Sequence, residues 1–150
     1  MITVSKTYSD AEPPEEVPAT EPARILVVDD EATMQILAST ILQKLGHQAE
    51  TVGSGEEAVE KYREYYEKGM PFSAVVMDLA LPGGISGLEA TIAIKQIHPD
   101  AKVIVSSGYL EQQARGAALE HGFAGMLPKP YSAERLGSEL RWVLKTQKEA

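Results

Sequence analysis

The sequence predicts an α/β fold, a doubly wound parallel sheet of five strands with five helices. Three observations carry that expectation. Five short, mostly apolar runs recur between Ile25 and Leu127, several rich in Val and Ile, as strands covered on both faces require. Between them lie longer stretches whose apolar residues fall at helical spacing. The joins are short and marked by Gly, Pro and Ser, so right-handed crossovers leave few topologies.

ILVV (25–28) reads as the first strand. Residues 31–45 then show helical spacing, with Met34, Leu37, Ile41 and Leu45 on one face, Ile36 on its flank and Gly46 as the stop. QAETV (48–52) is a weaker second strand. Ser54 and Glu57 fit a capping box that opens a helix running to about Lys68, closed by Gly69 and Pro71. SAVVM (73–77) is the third strand and ends at Asp78, and LPGGISG (81–87) is a loop by its Pro and Gly content. A helix over 88–97 stops at His98 and Pro99. KVIVS (102–106) is the fourth strand, a helix over 110–121 ends near Gly122, and AGML (124–127) is the fifth strand. The last helix covers 132–146, with Ser132 as its cap and Leu136, Leu140, Val143 and Leu144 on one face.

These elements are expected to form one domain over 24–147, and residues 1–23 stand apart. There Pro13, Pro14, Pro18 and Pro22 sit among Asp10, Glu12, Glu15, Glu16 and Glu21. Proline removes backbone donors and clustered acids repel, so a disordered, extended leader or linker is expected. A formal net charge of −8, with no cluster of Lys and Arg, weighs against nucleic acid as a partner. The absence of cysteine excludes disulfides, thiolate chemistry and zinc–thiolate sites. No apolar run approaches the roughly 18 residues of a membrane span, and MITVSKTYSD lacks the apolar core of a signal peptide. The expectation is a soluble, cytoplasmic chain without membrane contact.

In a doubly wound sheet, ligands bind outside the carboxyl ends of the strands, where strand order reverses. The first strand ends in Asp29 and Asp30, the third in Asp78, the fourth in Ser106 and Ser107, the fifth at Pro128, Lys129 and Pro130. Three carboxylates, a hydroxyl and an ammonium therefore gather at one edge. Two like charges about 4 Å apart repel by roughly 4 kcal/mol at an effective dielectric of 20, so either an acid keeps its proton or a cation joins them. Oxygen donors without Cys or converging His favour a hard ion, and magnesium suits carboxylates together with phosphate oxygens. An aspartate can also attack phosphorus and form an acyl phosphate. Taken singly, each residue has an ordinary explanation: an Asp pair at a helix start suits the dipole, and Asp78 by itself reads as a cap. It is their succession at consecutive strand ends that points to chemistry.

ILVVDDE (25–31), VVMDLALPGG (75–84), KVIVSSGY (102–109) and LPKPYS (127–132) resemble the receiver domains of two-component response regulators. The resemblance covers 24–147. It implies a flavodoxin-like sheet in strand order 2-1-3-4-5 with five helices. It implies that Asp78 is the phosphoacceptor, that Asp30 ligates Mg2+ directly and that Asp29 helps hold the ion. The Ala80 backbone carbonyl would be a further ligand, Lys129 would pair with the phosphoryl group, Ser106 would be the switch hydroxyl, and Pro130 would follow a cis peptide. The implied donor is a phosphohistidine on a histidine kinase or a histidine phosphotransfer domain. The implied output is the surface of the fourth helix, fifth strand and fifth helix, through which a homodimer can also form. Two departures stand out. Met126 occupies the place of the usual switch aromatic, with Tyr109 and Tyr131 expected merely to pack at the surface. The loop after Pro82 is one residue longer than usual, a form similar to receivers of hybrid sensor kinases.

Competing readings are a phosphatase or phosphotransferase with an aspartate nucleophile, a flavodoxin-like cofactor binder and a docking-only receiver. The first wants a second acid where Ala80 stands, together with a cap domain; the second wants a phosphate-cradling loop where DDE stands. The third is hard to reconcile with a complete polar site. His47 and His121 adjoin glycines at helix ends, where a cation suits the dipole. No basic recognition helix follows residue 147. A receiver standing alone or forming part of a larger protein is expected, with the acidic leader tilting towards the second.

Overall fold

A computed structural model describes residues 22–108 and 115–149. In chain order they form β1 (Arg24–Val28), α1 (Ala32–Lys44), β2 (Gln48–Val52), α2 (Gly55–Glu67), β3 (Ala74–Asp78), α3 (Gly87–Ile97), β4 (Val103–Ser107), α4 (Arg115–Glu120), β5 (Gly125–Pro128) and α5 (Ala133–Glu149). The strands pair in parallel as β2-β1-β3-β4-β5, the order the resemblance implies. The chain moves outward from β1 to β2, then returns past β1 to β3. That reversal opens a crevice beyond the carboxyl ends of β1 and β3.

Successive side chains alternate between the two faces of a strand, and two cores result. Ile25, Val27, Ala74, Val76, Ile104 and Leu127 pack with residues of α1 and α5. Leu26, Val28, Val75, Met77, Val105 and Met126 pack with residues of α2, α3 and α4. Because both faces are covered, the strands read as nearly continuous apolar runs.

Several expectations shift. β3, β4 and β5 each begin and end one residue later than expected; at their ends the ladder continues past the apolar residues, where Asp78 pairs with Ser106 and Ser107 with Pro128. On α1 the buried residues are Ala38, Ile41 and Leu42, whereas Leu37 is 39% exposed. Small Ala38 lets the helix approach the sheet, and that turns Leu37 outward. Ser54 caps α2 through the Glu57 N–H, but Glu57 accepts from the Gly53 N–H, so the return bond falls before the cap. The full reciprocal box lies on α3, between Ser86 and Glu89. Ser132 caps α5 through the Arg135 N–H, and α5 runs to Glu149. The expected leader, apart from Pro22 and Ala23, and Tyr109 with the first turn of the expected fourth helix lie outside the described residues.

Candidate functional site

Strand parity gathers the site. Asp29, Asp78, Ser106 and Lys129 each lie two residues beyond a residue of the core under α1 and α5, namely Val27, Val76, Ile104 and Leu127. They therefore extend one face of the sheet past its carboxyl edge. Register sets them side by side, since Val28 pairs with Met77 and Asp78 with Ser106, and the Lys129 N–H donates to the Ser107 carbonyl at 3.0 Å.

The two buried carboxylates, each 3% exposed, are held alike. Asp29 Oδ1 accepts the Glu31 N–H at 2.9 Å and Oδ2 lies 2.8 Å from Lys129 Nζ. Asp78 Oδ1 accepts the Ala80 N–H at 2.9 Å and Oδ2 accepts from Lys129 Nζ at 3.1 Å. Each acid thus keeps one oxygen on its own turn and gives the other to a shared ammonium. Asp30, exposed, completes a trio in which one oxygen from each carboxylate lies within 4.8 Å of the other two. Burial works to lower the Lys129 pKa, but the hydrogen bonds and charges of Asp29 and Asp78 outweigh it and hold the ammonium above its ordinary value. Ser106 Oγ is buried beside Asp78 without a hydrogen-bond partner among the described residues, a costly state unless something arrives to satisfy it.

Asp29, Asp30, Asp78, Ser106 and Lys129 thus all lie at the carboxyl edge of the sheet. Ala80 is tied to Asp78 through its N–H, and the Lys129–Pro130 peptide is cis. Tyr131 departs from expectation. It is buried in the core under α5 rather than on the surface, and burial, with Asp29 and then Asp78 adding to it against Lys129, pushes its pKa up to about 12. His47 is also buried, and its Nδ1 accepts the Ala23 N–H at 3.0 Å, a role for a neutral ring rather than a surface cation. Gln35 was not foreseen. Its amide donates to the Asp29 carbonyl at 2.7 Å and the Val52 carbonyl at 3.2 Å, tying α1 to the ends of β1 and β2.

The family model for the response regulator receiver domain matches residues 25–141. The chain belongs to that family. The receiver is 34% identical over 123 residues to the chemotaxis protein CheY of Thermotoga maritima, an alignment covering 81% of this chain and 98% of that protein. It is 32% identical over 126 residues to the sensor kinase CckA of Brucella abortus, covering 83% of this chain and 13% of the kinase. The CheX–CheY–BeF3–Mg2+ complex of Borrelia burgdorferi contains a chain that superposes with a TM-score of 0.73 at 25% identity, over 81% of this chain and 89% of that one. As a receiver, the protein is the phosphoacceptor module of a two-component phosphorelay. Receivers are signalling modules that interact with histidine kinases or phosphotransfer proteins and are generally magnesium-dependent.

Proposed function

We propose that Asp78 is the phosphoacceptor of this receiver, that Asp29, Asp30, Asp78 and the Ala80 carbonyl hold Mg2+, and that Lys129 and Ser106 receive the phosphoryl oxygens. The observation that carries this reading is the single ammonium of Lys129 bridging the two buried carboxylates at the crevice. The three carboxylates suit the ion, being oxygen donors alone with one oxygen of each within 4.8 Å of the others; closing around a magnesium would draw them in slightly, since oxygens on its opposite sides stand about 4.2 Å apart. When bound, the ion neutralises the acids and the charge that spreads over the phosphoryl oxygens.

Asp78 Oδ1 is engaged by the Ala80 N–H, which leaves Oδ2 as the nucleophile once Lys129 turns towards the incoming group. An O–P bond forms, the N–P bond of a phosphohistidine breaks, and its electron pair returns to the imidazole nitrogen. The receiver thereby promotes its own phosphorylation, and a water attacking the same phosphorus breaks the O–P bond, releasing inorganic phosphate and restoring the Asp78 carboxylate. The acyl phosphate carries a charge of about −1.5 to −2 at neutral pH where the carboxylate carried −1, and brings three new acceptor oxygens. The Ser106 hydroxyl then gains the acceptor it lacks and pulls the end of β4 along. The α4–β5–α5 surface changes its partners by a population shift, and a homodimer through that surface belongs to the same reading. Met126 is 2% exposed in the core and supplies no ring, so Ser106 and Lys129 carry the switch.

The same reading makes residues 24–147 the receiver and 1–23 a tether, and places the chain in the cytoplasm. No helix among the described residues is long and apolar enough to cross a membrane. The test is intact mass after treatment with acetyl phosphate and Mg2+. One phosphoryl group should be gained with the ion, and none without it or in Asp78→Asn. An equal gain in that variant would sink the assignment.

A further inference from the structure

The connection from Asp78 to α3 carries two consecutive glycines in left-handed conformation, Gly83 at φ 67° and Gly84 at φ 54°. Glycine loses the most conformational entropy on ordering, so this loop needs outside support to hold one shape. Its two ends are fixed by Asp78, through the Ala80 N–H and through Gly87 packed against the Asp78 carbonyl. Its middle is held by α2: Glu56 Oε2 accepts the Ile85 N–H at 2.9 Å. The carboxylate lies so flat on Gly84 that a Cβ there would stand 2.6 Å from Oε1, and a Cβ on Gly55 would stand 2.7 Å from Ile85 Cγ1. The start of α2 is also tied to the end of β2, which Gln35 of α1 joins to the end of β1. Glu57 accepts the Gly53 N–H at 2.9 Å, and Gln35 bridges the Val52 and Asp29 carbonyls. The α2 terminus therefore braces the loop after β3 directly, and reaches the end of β1 only through β2 and Gln35.

We propose that Glu56 is a positioning residue for phosphorylation. It fixes the β3–α3 loop, and with it the placing of Asp78 and the Ala80 carbonyl, without touching the phosphoryl group. The proposal rests on the Asp78 reading. Its test compares the full chain with Glu56→Ala and Glu56→Gln for Mg2+ affinity by calorimetry, initial rate with acetyl phosphate, and melting temperature in EDTA. Glu56→Ala should lose about fivefold in affinity and rate, the equivalent of about 1 kcal/mol for one hydrogen bond, with little change in melting. Glu56→Gln, which keeps an oxygen acceptor, should restore both. Wild-type affinity and rate in Glu56→Ala would overturn the proposal, as would a Glu56→Gln variant as slow as Glu56→Ala. Those failures are distinct from failure of the Asp78 reading, in which Asp78→Asn itself would still be phosphorylated.

Discussion

Gly87 is where the fold leaves least room, and Gly87→Ala is the perturbation most tightly determined by the structure. A Cβ at this first residue of α3 would overlap the Asp78 carbonyl oxygen and stand 3.0 Å from Leu79 Cα and 3.1 Å from the Asp78 carbonyl carbon. All three are backbone atoms, so no side chain can rotate away. Relief requires lifting the start of α3 or bending the end of β3. Overpacking of this kind costs about 1–3 kcal/mol, and the backbone partners put the cost near the upper end. At about 4 °C per kcal/mol for a domain of this size, melting should fall by about 12 °C. Gly108, whose Cβ would meet nothing within 4 Å, is the control; Gly108→Ala should stay within about 0.5 kcal/mol of wild type. Circular dichroism in EDTA and again in Mg2+ reads both effects. The stabilisation by Mg2+ should also shrink in Gly87→Ala, since the displaced peptide belongs to Asp78. A Gly87→Ala protein melting within about 2 °C of wild type would refute the close-approach argument.

Asp30→Asn removes a like charge from a trio gathered within 4.8 Å. It should raise stability in EDTA by about 1 kcal/mol at a water-like dielectric while weakening Mg2+ binding at least tenfold by calorimetry. Ser106→Ala deletes a buried hydroxyl that has no partner among the described residues. Stability of the unphosphorylated protein should hold or rise by up to about 1 kcal/mol, while phosphorylation no longer shifts the NMR resonances of β5. Burial holds the His47 pKa below its ordinary 6.5. Between those two values the unfolded chain binds a proton that the folded chain refuses, so stability should fall as pH drops below about 6.5. His47→Asn, which keeps an acceptor for the Ala23 N–H without titrating, should flatten that slope in urea titrations; an unchanged slope would assign it to other groups. Glu139, 7% exposed, accepts the Met126 N–H at 3.0 Å. Glu139→Ala leaves that strand donor buried and unpaired, and should cost about 1–3 kcal/mol by the same titration.

The alternation of strands and helices and the polar cluster were legible because both depend on short-range signals, whereas the strand order 2-1-3-4-5 was implied by the family resemblance alone. Apolar runs mark β1, β3 and β4, and the site residues are the first polar positions beyond them. The motifs around Asp78 and Lys129 then supplied roles that spacing alone does not assign. What escaped reading is held by contacts distant along the chain. Glu56 meets Ile85 across 29 positions and His47 meets Ala23 across 24, and no local pattern announces either. Leu37 and Tyr131 were misplaced because apolar character does not say which of two adjacent helix positions, or which side of a loop, a neighbouring element will cover. The Ser86–Glu89 box is a different case. Its Ser-x-x-Glu spacing was there to be read, but the glycine-rich loop before it drew the helix start to Leu88.

Reduction of the phosphorylated protein with borohydride tests the central claim most directly, because it converts an aspartyl phosphate to homoserine at the residue that carried it. Peptide mass after proteolysis should place homoserine at position 78 only, with the label absent when Mg2+ is withheld. Homoserine at position 29 or 30, or a phosphoryl group retained on a histidine and none on an aspartate, would contradict the account.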